Sequence, residues 1–209
     1  MLLLSLAIAF LLGSIPFSWI LVWLLKGEDL RKVGSGNPGA TNAIRVAGKG
    51  WGYLALALDI TKGFAAVALA PRIPGIVSND WLPVACGLAA ILGNIYCPFL
   101  RFKGGKAVAT SAGVFLALVP WASLVGLIAF GALFLPTQKV SAGSLAASIA
   151  LPVAVTVNWT TGGWDQPTKW TVLLVWTTAI LVVWRHRENI KRLLSGEEAS
   201  IHDPATERD

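Results

Sequence analysis

Three short stretches hold most of the residues with usable chemistry. Residues 34–45 read Gly-Ser-Gly-Asn-Pro-Gly-Ala-Thr-Asn-Ala-Ile-Arg. Glycines let main-chain N–H groups converge on a ligand, hydroxyls and amides add short donors, and the arginine offers a planar fork suited to phosphate. Residues 102–110 read Phe-Lys-Gly-Gly-Lys-Ala-Val-Ala-Thr and run straight into an apolar segment. Lys106 therefore stands where loop N–H groups and a positive helix end can face one anion. Residues 185–190, Arg-His-Arg-Glu-Asn-Ile, supply His186, whose ordinary pKa lies near neutrality. One Gly-rich loop could be a flexible connector between helices, but a second such loop points to an oxyanion as the guest.

Other chemistries lack their residues. The Gly-Gly-Lys stretch is not a nucleotide-binding Walker A loop, because its first glycine is misplaced and no Ser or Thr follows the lysine. No Cys/His/Asp/Glu cluster has metal-ligand spacing, so no metal is expected. No His is followed five residues later by Asp, the pattern of acyltransferases with soluble donors.

What must position these stretches is a set of membrane helices. The 209 residues are 55% hydrophobic and only 13% charged, and their mean hydropathy is +0.66. That composition excludes an ordinary soluble domain and predicts an all-α polytopic membrane protein. Seven spans are read: 2–25, 51–71, 81–98, two halves of 107–135 divided at Pro120, 142–158 and 170–184. The first run has neither a basic start nor a small-residue cleavage site and reads as a retained helix. Residues 1–195 form one transmembrane domain, and 196–209 a short polar C-terminal tail that is expected to be disordered. Asp59 and Lys62, three apart in the second span, predict a buried ion pair. Cys86 and Cys97 are separated by roughly 16 Å of helix and predict no disulfide.

The formal charge of +6 speaks for orientation rather than for a nucleic-acid partner. Lys26, Arg31, Lys32, Arg45, Lys49, Arg101, Lys103, Lys106, Lys139 and the basic tail fall on one side of the seven spans, and only Arg72 and Lys169 on the other. The N-terminus is thus expected outside and the C-terminus in the cytoplasm. Both Gly-rich loops, the Lys139 turn and His186 then share the cytoplasmic face. An anion transporter would continue its polar residues through the membrane, whereas here they stop at one face.

Residues 34–42, 102–110 and 185–190 together resemble the three motifs of the bacterial acyl-phosphate:glycerol-3-phosphate acyltransferase family, in order and along the whole chain. Residues 59–63 resemble a further family element. The resemblance implies a seven-helix enzyme of the inner membrane that moves a fatty acyl group from acyl phosphate to the sn-1 hydroxyl of glycerol 3-phosphate. The products would be lysophosphatidic acid and phosphate, with no cofactor. It implies a monomer or weak oligomer whose partners are these two substrates and the lipid bilayer. Ser35, Arg45, Lys106, Ser144, His186 and Asn189 match the family's catalytic positions. Gly36, Asn37, Gly39, Thr41, Asn42, Lys103, Gly104 and Gly105 match substrate-binding ones. His186 is expected to donate to phosphate rather than act as a base, since bound anions raise its pKa. Three positions depart from the family pattern: Asn94 replaces a usual His, Cys97 stands in the usual place of the proline, which falls at Pro98, and Ala107 replaces a Gly.

Overall fold

The computed structural model describes residues 2–72, 79–163 and 166–203, and among these the regular structure is entirely helical. Residues 73–78 and 164–165, in the polar segments after the second and sixth apolar runs, lie outside the described residues.

The first apolar run is two helices, α1 (Leu2–Ser14) and α2 (Phe17–Lys26). Pro16 has no N–H to continue the ladder, so carbonyls at the break lose their helical partners. The rest of the molecule supplies new ones: Cys97 Sγ donates to Ser14 O at 3.0 Å, and Lys62 Nζ donates to Ile15 O at 2.6 Å. A broken helix at membrane depth needs such donors.

Within 34–45 only the first half is loop. Residues 40–47 form α3 (Ala40–Ala47), because Ala40, Ala43, Ile44 and Ala47 recur at helical spacing beneath the glycine-rich start. The helix lies against α4 (Lys49–Leu69). A Cβ on Gly52 would sit 2.2 Å from Ile44 Cγ1, so contact this close requires glycine there.

α5 (Leu82–Ile95) packs on α1. α6 (Val108–Leu118) packs on α4. Both pairs approach backbone to backbone: Cβ atoms on Gly13 and Gly93 would fall 2.1 Å from Ala90 O and Phe10 O, and one on Gly63 would fall 2.1 Å from Thr110 O. Small residues are what membrane helices use to approach this closely. α7 (Pro120–Thr137) and α8 (Val140–Thr161) form the next hairpin. α9 (Lys169–Arg185) and α10 (Arg187–Leu194) close the chain, with His186 at the junction.

Five segments are long and apolar enough to cross a bilayer: Leu2–Lys26, Lys49–Arg72, Leu82–Leu100, Pro120–Thr137 and Val140–Thr161. The split at Pro120 is as expected, but it leaves α6 with 11 residues, about 16 Å of helix. α9 has 17 residues.

Asp59 and Lys62 pair as the sequence suggests, Nζ to Oδ1 at 2.7 Å with both side chains buried. Ser18 Oγ adds a 2.8 Å bond to Asp59 Oδ2. Both cysteines are free and buried.

Residues 196–203 run against the expectation of a disordered tail. Glu198 N donates back to Arg192 O at 3.0 Å and Ile201 N to Gln138 O at 3.0 Å, so the segment folds over the mouth of the α7–α8 turn. Its Glu198 answers the basic helix that precedes it, through Arg192.

Candidate active site

The three chemical stretches meet around one cavity of about 690 Å³. Residues 34–39, Gly36 apart, form its first wall, fixed from behind by Asn42. The Asn42 amide donates to Leu30 O at 3.0 Å and Val33 O at 2.9 Å, while Oδ1 accepts Ser35 N at 3.0 Å. Every polar atom of that amide thus holds the loop. Asn37 N lies 3.4 Å from Ser35 Oγ, and Asn37 Oδ1 is buried with no partner.

The second wall begins where α5 ends. Gly104 N and Gly105 N donate to Ile95 O and Asn94 O, both at 3.1 Å. A Cβ at Gly104 would stand 2.0 Å from Asn94 O, so no other residue fits. Gly105 faces Asn94 Oδ1 and Asn37 Oδ1, with a Cβ there 3.2 and 3.6 Å away, which joins the two loops. Asn94, a departure from the family pattern, therefore supports the second loop through its backbone. Ala107 turns the chain into α6 with φ 60°, a left-handed conformation that costs an L-residue about 1–2 kcal/mol and glycine almost nothing.

Lys106 projects from this loop to hydrogen-bond Asn189 Oδ1. Asn189 Nδ2 donates to Glu198 Oε1 at 2.6 Å, and the same carboxylate accepts Ser141 Oγ at 2.6 Å and Arg192 Nε at 2.8 Å. Lys106, Asn189, Glu198, Ser141 and Arg192 form one connected polar network along the cavity. Burial pushes the Glu198 carboxyl upward, but its three donors outweigh that and hold it below the usual range. Burial lowers Lys106 to about 8, partly opposed by Glu198.

His186 is buried beside them. Its Nδ1 lies 2.8 Å from Val182 O; a carbonyl only accepts, so Nδ1 carries the hydrogen and Nε2 presents a lone pair. Burial, and then Lys106, lower its pKa to about 4. Without a bound anion, the protein's own groups thus favour the neutral ring. A phosphate beside it would act in the opposite direction.

The remaining sequence candidates separate clearly. Ser35, Asn37, Gly39, Thr41, Asn42, Arg45, Gly104, Gly105, Lys106, Ser144, His186 and Asn189 all line the cavity. Ser144 Oγ donates to Val140 O at 2.8 Å. Arg45 is held by the tail, with its guanidinium 2.9 Å from Ser200 O and 3.1 Å from Ala199 O. Gly36 and Lys103 are not among the lining residues, and Lys103 is exposed. Sequence reasoning missed Glu198 and Arg192; the one available signal was an acidic pair placed directly after a basic amphipathic helix.

Away from these polar walls the cavity is apolar. Phe115, Leu127, Phe130, Leu151 and Val175 line it between α6, α7, α8 and α9. One end suits an anion and the other a hydrocarbon.

Residues 3–196 match the family model for glycerol-3-phosphate acyltransferase. The chain belongs to the glycerol-3-phosphate acyltransferase family. It is 42% identical over 193 residues to such an acyltransferase of Anaeromyxobacter sp. (strain Fw109-5), covering 92% of each chain. It is 44% identical over 199 residues to that of Synechococcus sp. (strain CC9902), covering 95% of this chain and 94% of the relative. Its fold is similar to the crystal structure of PlsY, an integral membrane glycerol 3-phosphate acyltransferase, in its glycerol 3-phosphate form. There the TM-score is 0.84 at 40% identity, over 95% of this chain and 94% of that one. The lysophosphatidic acid form of that enzyme gives a TM-score of 0.80. With that integral-membrane neighbour and its own apolar helices, the chain is a multi-pass integral membrane protein, helical throughout the regular structure of its described residues.

Proposed function

We propose that this acyltransferase takes its acyl group from acyl phosphate and places it on the sn-1 hydroxyl of glycerol 3-phosphate, releasing lysophosphatidic acid and inorganic phosphate. The observation that carries the reading is a single cavity with Lys106, Asn189, His186 and Gly-rich backbone at one end and an apolar lining at the other. Acyl phosphate is already activated, so the protein needs chiefly to hold two anions together and stabilise developing charge. Lys106 and the N-terminus of α6 suit the transferring phosphate, and the loop at 34–39 with Arg45 suits the glycerol phosphate. The hydroxyl proton passes to a substrate phosphate oxygen. His186 at Nε2 accepts a hydrogen bond when neutral and donates one when an adjacent phosphate raises its pKa. Asn42 serves by holding the first loop in shape.

Seven crossings, with the N-terminus outside and the site facing the cytoplasm of the bacterial inner membrane, complete the reading. They require the short α6 and α9 to cross within the bundle. The distribution of basic residues supports this orientation. The decisive assay supplies purified protein with acyl phosphate and glycerol 3-phosphate and measures phosphate and lysophosphatidic acid together. Equal release of both is expected. Efficient turnover with acyl-coenzyme A in place of acyl phosphate would overturn the donor assignment.

A further inference from the structure

The cavity holds two buried hydroxyls that none of the roles above employs. Thr110 and Ser111, in the first turn of α6, are 1% and 5% exposed and line the cavity. Neither Thr110 Oγ1 nor Ser111 Oγ has a hydrogen-bond partner. Of the other helical hydroxyls, Ser5 Oγ is also buried without a partner but does not line the cavity, whereas several others are paired along their own helix. Ser14, Thr61, Ser144 and Thr156 each bond the carbonyl four residues earlier at 2.7–2.8 Å. That return bond is the default for a serine or threonine on a helix, and a buried hydroxyl left without any partner costs about 1–3 kcal/mol. Thr178 Oγ1 is also buried without a partner, but it lies two turns along α9 from His186, in the apolar part. Thr110 and Ser111 instead follow Lys106 within five residues.

The same turn holds free backbone donors. The first intrahelical bond of α6 runs from Ser111 N to Ala107 O, so the N–H groups of Val108, Ala109 and Thr110 have no partner within the helix. Two hydroxyls, these N–H groups and the positive end of the helix surround the cavity next to the lysine assigned above to the leaving phosphate. The acyl carbonyl is one bond from that phosphate.

We infer that Thr110 and Ser111, with the first turn of α6, form the oxyanion site of the acyl transfer. The inference rests on the acyl-phosphate reading and adds two residues to it. In the step itself, the sn-1 oxygen bonds to the acyl carbon while the carbonyl π pair moves onto the carbonyl oxygen. That oxygen takes hydrogen bonds from the hydroxyls. The pair then returns, the acyl carbon–oxygen bond to phosphate breaks, and the hydroxyl proton departs on a phosphate oxygen. Donors aimed at the developing oxyanion act on the transition state and little on the bound substrate.

The test compares Thr110→Val, Ser111→Ala and the double variant in detergent, each checked for an unchanged Tm. The double variant should lose kcat by about 100-fold or more, as expected for lost oxyanion donors, with KM for both substrates little changed. Ser111→Thr and Thr110→Ser keep a hydroxyl and should recover most of the rate. A long-chain alkyl phosphonate, which carries the anion but no carbonyl, should inhibit parent and double variant equally. A double variant with parental kcat, or one whose loss lies in KM and in phosphonate affinity, overturns the inference. If the double variant does not fold, the single variants decide in the same way. A parent inert with acyl phosphate overturns the donor reading and this inference together, whereas an active parent matched by the double variant overturns this one alone.

Discussion

Lys106 concentrates the chemistry at the residue scale. It follows two glycines packed against the end of α5, immediately precedes the turn into α6, and reaches Asn189. A charge-assisted hydrogen bond to a transferring phosphate in this partly dehydrated pocket contributes about 2–4 kcal/mol, so Lys106→Ala should lower turnover roughly 30- to 1000-fold. Lys106→Arg should recover only part, because a planar fork does not replace a compact ammonium. Phosphate release by the two variants, with folding checked by Tm, measures both. The pKa of about 8 makes a separate prediction. kcat/KM reports the free enzyme, so it should fall as pH rises through about 8, where Lys106 loses its proton. Lys106→Arg should remove that alkaline limb. Stability moves the other way: the unfolded lysine still binds its proton up to its ordinary 10.5, so this group's contribution rises with pH between about 8 and 10.5.

Among the elements, the broken first helix depends most on its neighbours. The Asp59–Lys62 pair is buried with Ser18 and the Ile15 carbonyl as further partners, and it fixes the break that sends α2 toward the site loop. Lys62→Met leaves Asp59 a buried unpaired carboxylate and Ile15 O without its lysine donor, and should cost about 3–5 kcal/mol. The double change Asp59→Leu with Lys62→Met removes both charges and should be far less damaging than the single one. Thermal unfolding in detergent reads the difference. A double variant as unstable as Lys62→Met would show that the pair is not the point of support.

For the molecule as a whole, two features can be tested from outside the site. The proposed seven crossings would place Lys139 in the cytoplasm, so a cysteine introduced there should react with an impermeant thiol reagent only in inverted vesicles; labelling of intact cells would refute that orientation. The folded tail is the other. Glu198 accepts from Ser141, Asn189 and Arg192 and so ties α8, α10 and the tail into one unit. Glu198→Ala strips a buried acceptor from three donors, one of them charged, and should cost about 3 kcal/mol with loss of activity. An unchanged Tm would mean that the tail merely rests on the surface.

The sequence by itself determined the helical membrane class, the break at Pro120, the ion pair at Asp59 and Lys62, and most of the cavity-lining polar residues. These follow from local facts: hydropathy over a span, helical spacing of three, and the donor chemistry of Gly, Asn, Lys and His. The tertiary structure alone decided that residues 40–47 are a helix, because the glycine-rich start masked an apolar stripe that only α4 completes. It likewise decided that Asn42 holds a loop, that Lys103 stays outside the cavity, and that Glu198 belongs within the site network. Each of those depends on a partner far away in the chain, and an acidic tail reads as solvated until the basic and hydroxyl donors that neutralise it are brought together by folding.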